Sequence, residues 1–158
     1  MNWQQICNSP QFRDLPFKIE LADSGKIVMS PVKVIHSVFQ GEIAATLRTH
    51  RKDGAILSEC AIETGKGVKV ADVAWASKAT YQAIRDRAVC QTAPDLCIEV
   101  LSDSNTPEEI EEKKLLYLEQ GASEVWLCNQ EGEIEYFDKR GAMANSFLFP
   151  DFQKKMDC

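Results

Sequence analysis

The sequence predicts one α/β domain of the α+β type, in which helices flank a β-sheet. Two pairs of strand-like segments are joined by turn residues, a long helical segment separates the pairs, and a strand–helix–strand segment follows. With 158 residues, the chain has the length of one ordinary domain. We therefore expect residues 1–158 to form a single domain, with residues 1–14 as an N-terminal segment and residues 140–158 as a C-terminal tail.

The first half of the chain predicts a short helix, then two hairpins around a long helix. Strand-like residues flank turn residues at positions 22–25 and again at 64–67. Apolar residues at helical spacing run between the hairpins and stop before Asp53-Gly54. In this half we expect strands at 18–21, 26–29, 55–63 and 68–75, and a helix at 32–51.

The second half predicts a strand, a helix and two more strands. Thr106 and Pro107, followed by two glutamates, are typical of a helix start, and Gly121 is typical of its end. Residues 77–93 fit a helix followed by a loop, and the last twenty residues show no clear pattern. The expected elements are a strand at 95–101, a helix at 106–120, and strands at 124–129 and 134–138.

Composition narrows the class of protein. The hydrophobic content of 44% and charged content of 27% are typical of a soluble globular protein, and no apolar run is long enough for a membrane span. The N-terminus lacks the basic start and apolar core of a secretory signal, so a cytoplasmic location is expected. Six cysteines without a CxxC pair argue against a zinc site or a disulfide framework. The net charge of −6 argues against broad nonspecific binding to a polyanion.

Two acids stand out because each lies among apolar residues on a strand. Side chains alternate along a strand, so Glu99 shares a face with Cys97 and is flanked by apolar neighbours, and Asp72 shares a face with Val70 and Ala74. A buried carboxylate needs a cation, hydrogen bonds or a raised pKa. If the two strands pair, one divalent ion could bridge Asp72 and Glu99. A structural salt bridge or an exposed sheet face is the alternative.

A third acid falls on the long helix. On a helical wheel, Val34, Ile35, Val38, Phe39 and Ile43 form an apolar arc, and Glu42 falls inside it. A carboxylate on a core-facing stripe needs a partner, unless it lies at the edge of the arc and reaches solvent or a lysine. His36 lies at the flank of this arc and is expected to be a packed or capping residue.

The helix expected at 106–120 presents a lysine that could serve these acids. Lys113 and Tyr117 are four residues apart and share one face. An ammonium near clustered carboxylates reduces their repulsion and can orient a water or a phosphate. The wheel places Lys114 nearer the centre of the apolar side, so periodicity alone does not select Lys113. An ordinary solvated cluster is the alternative.

From about Leu15 to Asp138, the chain carries a series of segments in a characteristic order and spacing. In chain order they are DLPFKIEL, GKIVMSP, His36, GEIAATL, GVKVADVAWAS, APDLCIEVLSDSN, EEKKLLY and QGASEVW. In these segments the chain resembles the Uma-type restriction-endonuclease family, which is placed in the PD-(D/E)XK nuclease superfamily. The specificity of this resemblance lies in the order and spacing of the segments rather than in one motif.

The resemblance implies a restriction-endonuclease-like fold with a central mixed β-sheet, and it assigns roles to residues. Asp72 would be the metal-binding aspartate, Glu99 the acid of the (D/E)XK signature, and Glu42 a helix carboxylate near the metal. The superfamily lysine would fall at position 101, which is Leu101 here. Relatives of this type supply the lysine from the following helix, which matches Lys113.

The function implied is metal-dependent hydrolysis of phosphodiester bonds in DNA, as an endonuclease. Asp72, Glu99 and the backbone carbonyl of Val100 would hold Mg²⁺ or Mn²⁺. Basic residues cluster near the end of the long helix, including Arg48 and Arg51, and could contact phosphates. The displaced lysine keeps a second hypothesis open, a catalytically inactive binding or assembly module with the same fold. Association as a homodimer is also open.

Overall fold

The computed structural model describes residues 1–158, which form an eight-stranded mixed β-sheet with helices on both faces. A short 3₁₀ turn at Pro10–Phe12 follows the first helix. The helices are α1 (Trp3–Asn8), α2 (Val34–His50), α3 (Lys78–Ile84) and α4 (Pro107–Glu119). The strands are β1 (Phe17–Ala22), β2 (Ile27–Pro31), β3 (Ala55–Thr64), β4 (Gly67–Ala76), β5 (Leu96–Val100), β6 (Glu124–Cys128), β7 (Ile134–Asp138) and β8 (Gly141–Met143).

The sheet divides at β4. Its path runs β2-β1-β4-β5-β6-β7-β8, and β3 pairs with β4 outside that path. β3 pairs along β4 from Gly67 to Ala76, with a gap only at Asp72, so β1 and β5 must share the other edge. There β1 pairs only with the first two residues of β4, whereas β5 pairs with residues 73–75. Residues 69–72 of β4 therefore face a fork between β1 and β5.

Two buried clusters pack on the two faces of the sheet. The first cluster contains residues of α2, of the segment that follows β8 (the C-terminal segment), and of the sheet, such as Trp75, Ile98 and Trp126. The other joins α3 and α4 to residues such as Cys97 and Val125. The alternation expected for β5 is confirmed, because Leu96, Ile98 and Val100 contribute to the first cluster and Cys97 to the second.

β4 is irregular at Asp72. Its pairing with β3 is interrupted between Ser58↔Val73 and Cys60↔Ala71, where Glu59 has a φ of 55°. Ala71 and Ala74 pack in the same cluster, which regular alternation does not allow. The backbone carbonyl of Asp72 accepts a hydrogen bond from Gln40 Nε2 on α2, at 2.9 Å. The expectation that Asp72 shares a face with Ala74 is thus wrong. Ala74 packs on the side of α3 and α4, whereas the side chain of Asp72 lies 3.3 Å from His36 of α2.

The apolar arc expected on α2 is only partly right, because two of its five residues, Phe39 and Ile43, are buried. The buried residues of this helix are His36, Phe39, Ile43 and Leu47. Val34, at 81% exposure, and its neighbours Ile35 and Val38 are exposed, as is Glu42. The buried residues have the three-to-four-residue spacing of one helix face, but one of them is a histidine. An arc drawn through the apolar residues alone therefore points partly away from the sheet.

None of the helices is long and apolar enough to cross a bilayer.

The C-terminal segment, which has no clear sequence pattern, packs on the α2 side of the sheet through Phe149, Phe152 and Met156. Glu124, on β6, binds this segment through hydrogen bonds. This buried carboxylate accepts hydrogen bonds from two backbone N–H groups and one hydroxyl of the segment, and from the indole of its own strand. The donors are Phe147 N at 2.9 Å, Leu148 N at 2.8 Å, Ser146 Oγ at 2.6 Å and Trp126 Nε1 at 2.9 Å.

Candidate functional site

Two carboxylates meet in the fork of the sheet. Asp72 and Glu99 lie just beyond the last paired residues of β4 and β5, Val73 and Ile98. Both are at least 97% buried, with exposures of 1% and 3%. The ammonium of Lys18, on β1, lies between them, 3.1 Å from Asp72 Oδ1 and 3.0 Å from Glu99 Oε2. The fork therefore brings two acids from neighbouring strands to one shared cation.

The second oxygen of Asp72 is held by the protein itself. Asp72 Oδ2 accepts the backbone N–H of Val100 at 2.8 Å and lies 3.3 Å from His36 Nε2. The side chain takes the place of the backbone acceptor that continued pairing of β4 and β5 would supply. Burial opposes ionisation of Asp72, but His36, Lys18 and the Val100 N–H together lower its pKa below the ordinary 3.8. The ionised form is thus favoured.

Glu99 is fixed by α4. Tyr117 donates its hydroxyl to Glu99 Oε1 at 2.7 Å, and Lys113 Nζ lies 3.6 Å from the same oxygen. Burial raises the pKa of Glu99 above its ordinary value of 4.5, and the two nearby lysines offset this only in part. Burial and the adjacent Glu99 also raise the pKa of Tyr117. The phenol therefore stays protonated and remains a donor.

A third carboxylate and the second lysine extend the cluster. Lys113 Nζ lies 2.8 Å from Glu20 Oε2, which also accepts the backbone N–H of Val70 at 2.7 Å. Acidic and basic side chains thus alternate in space through the cluster, in the order Asp72, Lys18, Glu99, Lys113 and Glu20. Burial alone would lower the pKa of Lys18, but Glu99, Asp72 and Glu20 outweigh it and raise that pKa. Lys18 is therefore a charged partner of these acids.

Sequence reasoning did not identify Lys18 or Glu20 as site residues. They alternate with apolar residues in β1, so they share one face of the strand. That spacing of two opposite charges is the signal that could have identified them, but an exposed strand face gives the same pattern.

The cluster lies on a cleft of about 300 Å³. The cleft is bounded by β1, the end of β2, the start of α2, the loop after β5 and the first turns of α4. Its acidic, lysine and histidine lining residues are Lys18, Glu20, His36, Lys69, Asp72, Glu99, Glu109, Glu112 and Lys113. The acids of the fork are therefore accessible from one side.

The structure separates the two candidate lysines of α4. Lys113 reaches the carboxylates, whereas Lys114 lies 4.2 Å from the ring centroid of Phe137 and pairs with Glu111 at 2.8 Å. The wheel correctly placed Lys114 on the packed side of α4, yet its ammonium lies over Phe137 of β7 and not in the fork. Leu101, where the resemblance to the superfamily predicts a lysine, packs half-buried against the α4-side cluster.

Other expected site residues lie elsewhere. Glu42 is exposed on α2 and does not line the cleft, because the buried stripe of that helix is rotated away from it. Arg48 donates to four backbone carbonyls that follow α2, from residues 51 to 54. Arg51 pairs with Asp53 at 2.7 Å and stacks on Trp75 at 4.2 Å. Both arginines therefore stabilise the end of α2, and neither is a free phosphate-binding group.

The donor atoms of the fork fit a hard divalent cation. No group of three or more His, Cys, Asp or Glu side chains is arranged as a metal site. However, Asp72 Oδ1 and Glu99 Oε2 already converge on one cation, and both are carboxyl oxygens, which are ligands that Mg²⁺ and Mn²⁺ prefer. The N–H of Val100 points into the fork, so its carbonyl points to the same edge of β5 and can add a third oxygen.

Comparison with known proteins identifies the family. The profile of the Uma2 family, described as "putative restriction endonuclease", matches residues 9–151. The chain belongs to the Uma2 family. None of the curated proteins compared with it matches.

The Uma2 chain is also similar to a solved structure, the crystal structure of a "putative nuclease belonging to DUF820" from Anabaena variabilis ATCC 29413. The two chains share 18% sequence identity and superpose with a TM-score of 0.71, over 95% of the Uma2 chain and 91% of the other. At this level of identity the similarity concerns the fold. The expected fold class, a nuclease-like mixed sheet flanked by helices, is confirmed.

Proposed function

We propose that this Uma2 protein is an endonuclease that uses Mg²⁺ or Mn²⁺ to hydrolyse phosphodiester bonds in DNA. One observation carries the proposal. Asp72 and Glu99, two buried carboxylates from adjacent strands, each direct one oxygen at the same cation position on an open cleft. The family description and the nuclease-like fold support the same reaction class.

In this proposal, Asp72, Glu99 and the carbonyl of Val100 hold the metal. When bound, the ion supplies a Lewis acid for the phosphate and a water of lowered pKa. The protein keeps both carboxylates in place through their other oxygens, which are held by Val100 N and His36 on Asp72 and by Tyr117 on Glu99. Such fixed donors reduce the reorganisation needed during reaction.

Lys113 is the residue that we assign to the charge of the reacting phosphate. Its ammonium lies beside Glu99 and Glu20 and lines the cleft. A preorganised positive group in a partly desolvated site stabilises negative charge that develops on phosphate oxygens. It can also orient the attacking water.

The DNA backbone would meet a cleft that carries both signs of charge. Lys18, Lys69 and Lys113 line it, together with more acidic than basic side chains. A divalent cation would shift this balance, so DNA affinity should depend on the metal as well as on salt. Binding that weakens steeply with rising salt, and that requires the divalent ion, is the expected result.

The decisive experiment compares three carboxylate variants. Cleavage of supercoiled and linear DNA is measured with Mg²⁺ or Mn²⁺ for the wild type, Asp72→Ala, Glu99→Ala and Glu42→Ala. Glu42 is the matched control, because it is an exposed carboxylate outside the cleft. We expect loss of divalent-dependent cleavage in the first two variants and full activity in the third. Undiminished cleavage by both Asp72→Ala and Glu99→Ala would refute the proposal.

Calorimetry with Mn²⁺ separates the nuclease from an inactive module. A nuclease site should give saturable binding heat that disappears in Glu99→Ala. A wild type that neither binds Mn²⁺ nor cleaves DNA would instead favour a binding or assembly module with a retained fold.

A further inference from the structure

The position between Asp72 and Glu99 is already taken by a group of this chain. Lys18 Nζ lies 3.1 Å from Asp72 Oδ1 and 3.0 Å from Glu99 Oε2, and the side chain is only 10% exposed. Lys18 is distinct from Lys113, the lysine that we assign to the phosphate. An ammonium of the chain itself therefore occupies the cation position between the two acids.

The contacts of the two acids divide their four oxygens into two classes. Asp72 Oδ2 and Glu99 Oε1 bind groups that fix the carboxylates, namely Val100 N, His36 and Tyr117. Asp72 Oδ1 and Glu99 Oε2 have Lys18 as their hydrogen-bond partner. Lys18 thus covers the two oxygens that remain for a metal.

We propose that Lys18 is a resident cation that competes with the divalent ion for this position and is displaced when the ion binds. Oxygen ligands lie about 2.1 Å from Mg²⁺, so an ion that contacts both oxygens leaves no room for an ammonium between them. This inference builds on the proposed metal site but does not require catalysis.

The surroundings of Lys18 allow the displacement. Its long side chain lines the cleft of about 300 Å³, whose rim carries the carboxylates of Glu109 and Glu112. An aliphatic stem with several rotatable bonds can carry the ammonium towards that rim without movement of β1. In the metal-free protein, the same ammonium neutralises two buried acids that would otherwise repel each other.

Lys113 is the matched control for Lys18, because it is the second lysine of the cluster and its contacts differ from those of Lys18 in one respect. It contacts Glu99 at 3.6 Å and Glu20 at 2.8 Å, so it does not bridge the two metal-binding oxygens. A general electrostatic effect would make Lys18→Met and Lys113→Met alike. Direct competition predicts a much larger effect for Lys18.

The test is calorimetric titration of Mn²⁺ into the metal-free wild type, Lys18→Met, Lys113→Met and Lys114→Met at one pH. A nearby opposite charge changes the affinity of a carboxylate for a cation by about tenfold or more. Removal of the Lys18 charge should therefore let Lys18→Met bind Mn²⁺ at least about tenfold more tightly than the wild type. Lys113→Met should change affinity by much less, and Lys114→Met should match the wild type. Equal changes in Lys18→Met and Lys113→Met, or weaker binding by Lys18→Met, would overturn the inference.

A second measurement uses the wild-type chain, in case Lys18→Met does not fold. Lysine side chains labelled with ¹³C and ¹⁵N are followed by NMR during a Mg²⁺ titration, with Lys18→Arg to assign the signal of Lys18. The Lys18 signal should shift with site occupancy, while that of Lys114 stays constant. A Lys18 signal that does not move at saturating Mg²⁺ would contradict displacement.

The two proposals can fail separately. If Lys18→Met binds Mn²⁺ more tightly but the wild type does not cleave DNA, the competition stands and the nuclease assignment fails. If the wild type cleaves DNA and Lys18→Met does not gain affinity, the nuclease assignment stands and the competition fails.

Discussion

Replacement of Glu124 tests how the C-terminal segment is attached to the sheet. This carboxylate is 2% exposed and accepts four hydrogen bonds, three of them from residues 146–148. Glu124→Ala leaves several buried donors without a partner, each at a cost of about 1–3 kcal/mol, although water entering the gap will recover part of this. We expect a net loss of about 3–5 kcal/mol in the free energy of unfolding, which is comparable to breaking a buried charged pair.

Urea unfolding followed by tryptophan fluorescence measures this loss, and thermal unfolding should show a fall in Tm of about 6–20 °C. Amide hydrogen exchange at Phe147 and Leu148, whose N–H groups bind Glu124, should accelerate. Glu135→Ala is the matched control, because this glutamate is exposed on β7, and its effect should stay within about 0.5 kcal/mol. A loss below about 1 kcal/mol for Glu124→Ala would refute the argument that these contacts fasten the segment.

Three further predictions concern the fork and its framework. Because the pKa of Asp72 is lowered, its stabilisation is fully present above the ordinary value of 3.8 and is lost as the pH falls through the folded-state pKa. In urea unfolding below about pH 4, the free energy of unfolding should therefore fall less steeply with falling pH in Asp72→Asn than in the wild type. An unchanged slope would contradict this. Tyr117→Phe removes a hydrogen bond to the ionised form of Glu99, so it should raise the pKa of Glu99 further, as measured by ¹³C NMR of the carboxyl group. Gly67 has a φ of 89° and an added Cβ would lie 2.1 Å from a carbonyl oxygen of β1, so Gly67→Ala should cost about 2–4 kcal/mol in urea unfolding, whereas Gly65→Ala, with open space around it, should be nearly neutral.

The sequence predicted most elements because their signals are local. The turn at residues 22–25, the capping residue Thr106 with Pro107, and the alternation of β5 each follow from neighbouring residues, and the structure has a hairpin, a helix and a strand there. The capping box of Thr106 and Glu109 is present as well. Local chemistry was sufficient at these points because tertiary contacts agree with it.

The site was predicted only in part because it depends on contacts between distant segments. Asp72 and Glu99 were identifiable, since an acid among apolar residues needs a partner wherever it lies. Lys18 was not, since a lysine in an alternating strand is ordinary until the strand is known to end beside two acids. Glu42 was misplaced because the face of a helix that contacts a sheet is decided by the whole packing and not by the number of apolar residues on the helix.

The fork joins strands that are far apart along the chain, and this affects folding. Lys18 lies 54 residues from Asp72 and 81 from Glu99, so the cluster can form only after two long loops have closed. Non-local pairings of this kind form slowly, because the entropy of loop closure is lost before the contacts form. A nascent or partly folded chain therefore carries the same acids without the arrangement that brings them to one cation. Whatever chemistry the centre performs begins only once the strands have come together.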